Sequence, residues 1–184
     1  NDLTLLVKAA KEGGFEGTFY TFYGNALGAP TAMGDAGVGQ VLAVAEWFPN
    51  QGGAASDAFY KQFLARFPDP AQDYMHMRKQ WMMQALGDAL KQVGPKAKDA
   101  GVDAFALALA LEQSQGSLGG HAAQMRASDH QLQQPLAVAQ MEKQGNEGTA
   151  FGVEGSGYGF KVVRRIGAAD ASLPTTCQMK RPTS

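Results

Sequence analysis

Cys177 is the single cysteine in this 184-residue chain, so no disulfide can form within it. A large core needs no cross-links, and one thiol fits a cytosolic or an exported protein equally well. The default reading of Cys177 is a buried, inert side chain. Histidine is also scarce: His76, His121 and His130 show no His-x-x-x-His spacing, and no Cys-x-x-Cys pair exists. A structural metal would need four nitrogen or sulfur ligands at workable spacings, so no metal centre is expected. Neither sign of charge dominates, with 16 basic residues against 17 acidic and a net charge of −1. That balance excludes the basic stripe of a nucleic-acid surface and the like-charge run of an interaction tail. No stretch approaches the ~18 apolar residues that would span a bilayer. No basic-then-apolar leader opens the chain, which starts at Asn1-Asp2-Leu3 already in a helical pattern. That start suggests a processed or truncated product.

Catalytic signatures are missing too. Gly155-Ser156-Gly157 would need glycines at 154 and 158 to form a nucleophile elbow, and those positions are Glu154 and Tyr158. The ladders Gly34-x-x-Gly37-x-Gly39 and Gly155-x-Gly157-x-Gly159 do not match a dinucleotide fingerprint, and no Walker lysine follows them. Both read as turns, and no cofactor is expected. What the chain does have is glycine, 23 residues, with 9% aromatic and 45% hydrophobic content. This composition suits a loop-rich α/β protein with an aromatic-lined cavity.

Leu3, Leu6, Val7 and Ala10 recur at helical spacing, and Gly13-Gly14 stops that helix. Phe15 to Tyr23 reads as a turn and a strand, Gly24 to Pro30 as a loop, and Thr31 to Ala36 as one or two helical turns. Gln40 to Trp47 is a second strand, apolar enough to be buried on both faces. Ser56-Asp57 is expected to cap a helix with the apolar stripe Phe59, Tyr60, Phe63, Leu64 and Phe67, ended by Pro68-Asp69-Pro70. A long helix follows from about Asp73 to Val93, closed by Gly94-Pro95, and Asp103 caps another through Gln113. Beyond Gly119-Gly120, Met125 to Gln131 and Pro135 to Met141 read as short strands, and the remainder is mixed. Helices alternate with strands early and β-like segments cluster late, which argues for α/β with parts of more than one sheet.

The segment Thr18 to Gly28, Thr-Phe-Tyr-Thr-Phe-Tyr-Gly-Asn-Ala-Leu-Gly, carries the candidate chemistry. Phe22, Tyr23 and Asn25 follow the first strand, while Trp47, Phe48 and Asn50 follow the second. Open α/β sheets collect ligands at the carboxyl ends of strands. A ring and an amide can clamp a small polar molecule, but aromatics in such places also serve core packing. Both readings stand open. Tyr74, Met75 and His76 begin the long helix, where free N–H groups could meet a carboxylate or the rings could pack a hinge.

Asn1 to Lys11, Thr18 to Gly28, Gly37 to Trp47, Met125 to Leu136 with its Asp129-His130-Gln131, Glu154 to Phe160 and the Pro-Thr-Thr-Cys ending together carry a resemblance. The sequence is similar, essentially end to end, to the periplasmic substrate-binding proteins of branched-chain amino-acid-type ABC transporters. The resemblance implies a type I periplasmic-binding-protein-like α/β fold, with parts of two three-layer lobes joined by hinge crossings. A complete member is roughly twice this long, near the size of two ~150-residue domains, and the chain looks like the carboxyl-terminal half of one. Residues 1–68 would belong to the second lobe, 73–119 to helices returning to the first, and 120–184 to hinge-crossing strands and a shared carboxyl-terminal segment. The implied partners are a small-molecule solute, the membrane subunits of an ABC permease and a missing amino-terminal portion, in the periplasm and without catalysis. Carried over by position, Tyr23, Gly24 and Asn25 match a ligand-contact loop of the second lobe, and Tyr74 or Met75 a wall position after the hinge. Trp47 is added from its place at a strand end. Amino-acid binders put an acidic residue where Tyr23 stands, which opens amides and small aromatic or aliphatic carboxylates as ligands beside amino acids. A cytosolic ligand sensor on the same fold and, more remotely, a Ser156 hydrolase are the competing expectations.

Overall fold

The computed structural model describes residues 2–22, 24–70, 76–94, 101–118 and 120–180. They fall into two units, Asn1–His76 with Leu136–Ile166 and Met77–Pro135 with Gly167–Ser184.

The first unit is built on a four-stranded sheet of order β1-β2-β6-β7. Strands β1 (Phe19–Thr21) and β2 (Val41–Ala45) run parallel, with Phe19 opposite Val41 and Thr21 opposite Ala43. Strands β6 (Leu136–Lys143) and β7 (Tyr158–Ile166) form an antiparallel hairpin whose β6 pairs antiparallel with β2. Helix α1 (Asp2–Glu12) ends where the sequence places its glycines, and Gly14 sits at φ 76°. Its buried residues are Thr4 and Val7, while Leu6 is more than half exposed, so the apolar stripe is narrower than the spacing predicts. Val7, Met33, Val41, Ala43, Ala139, Met141 and Phe160 share the core.

The loop between the parallel strands carries α2 (Ala29–Met33), which starts two residues earlier than expected because Pro30 fits the first turn of a helix. Helix α3 (Ala54–Arg66) corrects another expectation: Ser56 and Asp57 lie inside its first turn, and the cap position is Gly53 at φ 98°, with no side-chain cap bond. The Ser56 hydroxyl is not needed for capping because it accepts a 2.8 Å bond from the Trp47 indole. The apolar stripe of α3 forms only in part: Tyr60 is fully buried against Trp47 and Phe151, Phe59 and Phe63 are half-buried, and Leu64 and Phe67 are exposed.

The second unit holds α4 (His76–Val93), α5 (Ala104–Glu112), the antiparallel sheet β3 (Gln115–Leu118), β4 (His121–Arg126) and β5 (Gln131–Gln133), and α6 (Ala168–Ala171). Asp103 caps α5 as expected, accepting from the Phe105 and Ala106 amides at 2.9 and 3.1 Å. Trp81 of α4 is buried over Gly116, where a Cβ would come within 3.2 Å of the indole nitrogen. The expected single strand from Met125 to Gln131 is broken instead by a turn. Asp129 accepts from the Gln131 amide at 3.2 Å, and His130 takes the left-handed conformation at φ 58°. Side chains that satisfy their own backbone compete with the sheet ladder in this way.

Candidate functional site

Parallel pairing puts the carboxyl ends of β1 and β2 on one edge of the sheet, so the loops 22–28 and 46–53 leave from the same side. Phe22 is 74% exposed at the mouth of the first loop. Gly24 is buried, with its N–H donating to Thr21 Oγ1 at 2.7 Å. A Cβ at position 24 would lie 2.5 Å from that oxygen and 2.9 Å from Val41 Cγ1, so only glycine lets the chain turn this close to β2. Asn25 is half-buried next to it. Tyr23, Tyr74 and Met75 lie outside the described residues.

Glu154 holds the far end of this loop. One carboxylate oxygen accepts from the Gly28 amide at 2.6 Å and the other from the Thr31 hydroxyl at 3.0 Å, across more than a hundred residues of sequence. Sequence reasoning missed Glu154, and no local pattern could have exposed it, because the contact exists only once the sheet has formed. Its positive φ of 58° belongs to the glycine-rich turn before β7.

The second loop is built for rigidity. Trp47 is 7% exposed, and besides its bond to Ser56 it packs edge-on against Phe59 with centroids 5.9 Å apart. Phe48 is buried against Phe160. The Asn50 side chain donates to the Phe151 carbonyl and accepts from the Phe151 amide, both at 2.8 Å, tying the loop to the turn before β7. Of the six sequence-designated residues, the structure therefore brings Gly24 and Asn25 to the end of β1, and packs Trp47 against Ser56, Phe59 and Tyr60 of α3.

Two charged clusters lie outside these loops. In the first unit, Asp35 meets Lys143 and the Tyr158 hydroxyl, each at 3.0 Å. The Lys143 bond, then the Tyr158 bond, holds the Asp35 carboxyl below its ordinary value and pushes the lysine and phenol up. In the second unit, Arg126 forks onto Asp129 at 2.8 and 2.6 Å and donates to the Leu173 carbonyl at 2.8 Å. That guanidinium, assisted by Thr175 and the Gln131 amide, holds the Asp129 carboxyl far below the usual carboxylate range.

Nothing in these arrangements assembles a nucleophile. The Ser156 hydroxyl donates to the Val153 carbonyl at 2.6 Å and accepts from the Tyr158 amide at 3.2 Å, inside a glycine turn. Cys177 is exposed, not buried as expected, because the segment after α6 lies outside regular structure. Among the described residues, no group of three or more His, Cys, Asp and Glu side chains could hold a metal ion, and no helix is long and apolar enough to cross a membrane.

The chain has a mixed α/β fold, and solved structures on which it superimposes show that fold to be of the type I periplasmic-binding-protein kind. A leucine-, isoleucine-, valine-, threonine- and alanine-binding protein from Brucella ovis superimposes with a TM-score of 0.78 at 27% identity, covering 99% of this chain and 45% of that one. An ABC transporter substrate-binding protein from Sphaerobacter thermophilus shares the fold with a TM-score of 0.65 at 16% identity, covering 92% of this chain and 43% of that one. Residues 1–146 match the periplasmic binding protein family, and the chain belongs to it. Among curated relatives, the Leu/Ile/Val-binding protein homolog 4 of Brucella abortus is 30% identical over 190 residues, covering 99% of this chain. The homolog 4 of Brucella melitensis is similar to the same extent. The chain spans 42% of the length of these relatives.

Proposed function

We propose that this chain is part of an extracytoplasmic solute receptor of an ABC importer, which binds a small polar solute by closing two lobes around it and delivers it to the permease. The observation that supports this most is the shared edge of β1 and β2, where Gly24 and Asn25 stand on loops fixed by Glu154 and Asn50. A preformed strand-end edge of this kind suits a receptor, which must orient a solute and need not react with it. In this reading residues 1–68 form part of one lobe, 73–119 return to the other, and 120–184 supply hinge crossings. Tyr23, Gly24, Asn25, Trp47, Tyr74 and Met75 are the proposed contacts, with Trp47 acting as a stiff backing. Hinge closure supplies affinity by burying the solute between lobes.

The names of the relatives favour an aliphatic amino acid as solute. Tyr23 favours something else, because a phenol cannot give the full negative charge that pairs with an ammonium group. The proposed ligand class is therefore a small amino acid, amide or aromatic or aliphatic carboxylate. A thermal-shift screen of leucine, valine, glutamine and benzoate on a polypeptide of the relatives' full length, containing this sequence, tests the reading. A saturable rise in melting temperature with one class supports it, since ligands that bind only the native state raise its stability. A flat response to every solute overturns it.

A further inference from the structure

Strand β7 stands last in the sheet order, so one of its edges faces away from β6. An edge strand offers its outward N–H and C=O groups to any extended chain that can reach them. The first half of this edge is covered by the unit's own loops, since Asn50 donates to the Phe160 carbonyl at 3.3 Å and Val153 donates to that of Tyr158 at 2.8 Å. The second half is open. Among the described residues, Lys161 to Ile166 make no backbone hydrogen bond outside the ladder with β6. A crevice of about 260 Å³ runs along it, bounded by Asn50, Gln51 and Gly148.

The side chains on this half are arranged by a bulge. Ala139 pairs with Val162 and Val138 with Arg164, which leaves Val163 as an extra residue. In a regular strand Lys161 and Arg164 would point to opposite faces; the extra residue puts both on one face. Arg164 is exposed and has no ion-pair partner among the described residues, while Lys161 meets only Glu147, at 3.9 Å, on a nearly fully exposed side chain. Between them Val163 is 50% exposed. Arg165 is spent on the Gln51 carbonyl and fixes the end of the crevice.

A second copy of this chain is a poor occupant, because antiparallel pairing of two β7 edges would set these cations against each other. The same charges favour a strand of opposite sign. We propose that the Lys161–Ile166 edge docks an extended acidic peptide segment, which adds to β7 as a further strand, sets carboxylates on Lys161 and Arg164, and lays an apolar residue on Val163. Strand addition supplies the main-chain bonds and the alternating side chains supply the selectivity.

Fluorescence anisotropy tests this with the whole chain and a labelled heptapeptide of alternating glutamate and valine. The controls are the lysine-for-glutamate peptide and a glutamate peptide N-methylated at alternate residues. The glutamate peptide is expected to bind, the lysine peptide and the N-methylated peptide to fail, and Arg164→Glu to weaken binding by about tenfold or more. Arg164→Gln, expected to weaken it less, guards against a folding defect, with circular dichroism as the check. Equal binding by the N-methylated peptide overturns the proposal in favour of bare charge attraction. Displacement by sulfate, but not by chloride of the same ionic strength, overturns it in favour of a small-anion crevice. Undiminished binding to Arg164→Glu, or dimerisation of the chain by sedimentation that Val163→Pro abolishes, also overturns it.

Discussion

Gly24 shows how a single residue can hold two jobs at the strand ends. Its missing side chain lets the turn press against Val41, and its amide is tied to Thr21. Gly24→Ala is expected to destabilise the chain by about 1–3 kcal/mol, the usual range for forcing extra atoms into a packed place. Urea unfolding followed by circular dichroism measures it, and an unchanged midpoint would show that β2 gives way freely. Asp129 makes a prediction of a different kind. Its folded carboxyl titrates below its unfolded value of about 3.9, so its contribution is complete above that pH and is lost as pH falls toward the depressed folded value. Asp129→Asn should therefore flatten the loss of stability between neutral pH and the acid range, read as melting temperature against pH. A variant that keeps the wild-type acid slope would point to another carboxylate, with Asp35 next in line. The sequence makes Gly24 visible as a turn glycine and Asp103 as a cap, because both act within a few residues. Glu154 and the Arg126–Asp129 fork act through contacts that no local pattern encodes.

At the scale of elements, the segments that could be read were those whose burial and periodicity agree. Strand β2 is a continuous apolar run, and Val41, Leu42 and Ala43 are buried as that reading expects, while Val44 and Ala45 are half-buried. Strand β6 lies within two residues of its expected limits. Helix α5 begins where Asp103 accepts from two amides, and Asp103→Ala is expected to cost about 1 kcal/mol of the second unit's stability. Amide hydrogen exchange in the first turn of α5 checks this, and unchanged protection there would mean the packing of α5, not its cap, sets that stability. The misplaced limits have physical causes as well. Ser56 has the residue type of a cap but answers to Trp47. The strand expected through Met125 and Gln131 gives way because Asp129 bonds the chain to itself. Strand β7 was hard to see because Arg164 and Arg165 interrupt the alternation, and the bulge at Val163 shifts it by one residue.

For the whole molecule, the decisive quantity is the 42% of each relative's length that the chain spans. Half of the proposed cleft would then come from elsewhere, and the chain alone is expected to bind leucine or benzoate weakly. Isothermal titration of the 184-residue chain should give no saturable heat, whereas tight one-to-one binding would place a complete site within it. In the longer polypeptide, Tyr23→Ala is expected to weaken binding while leaving the circular dichroism baseline intact. The resemblance to the periplasmic binding protein family was legible because its segments run the length of the chain, but the partners of each loop were not, since they depend on long-range pairing. One such pairing has a consequence for how the protein is made. The first unit draws on Asn1–His76 and Leu136–Ile166, and β2 pairs with β6 across everything between them. During synthesis, at about 5–20 residues per second, the parallel pair β1–β2 leaves the ribosome well before its antiparallel neighbours exist. The edge of β2 that pairs with β6 must wait, without its partner strand, while the whole of Met77–Pro135 is translated. The chain is thus most exposed to aggregation and to chaperone capture during that interval, and a pause in translation before Leu136 would prolong it.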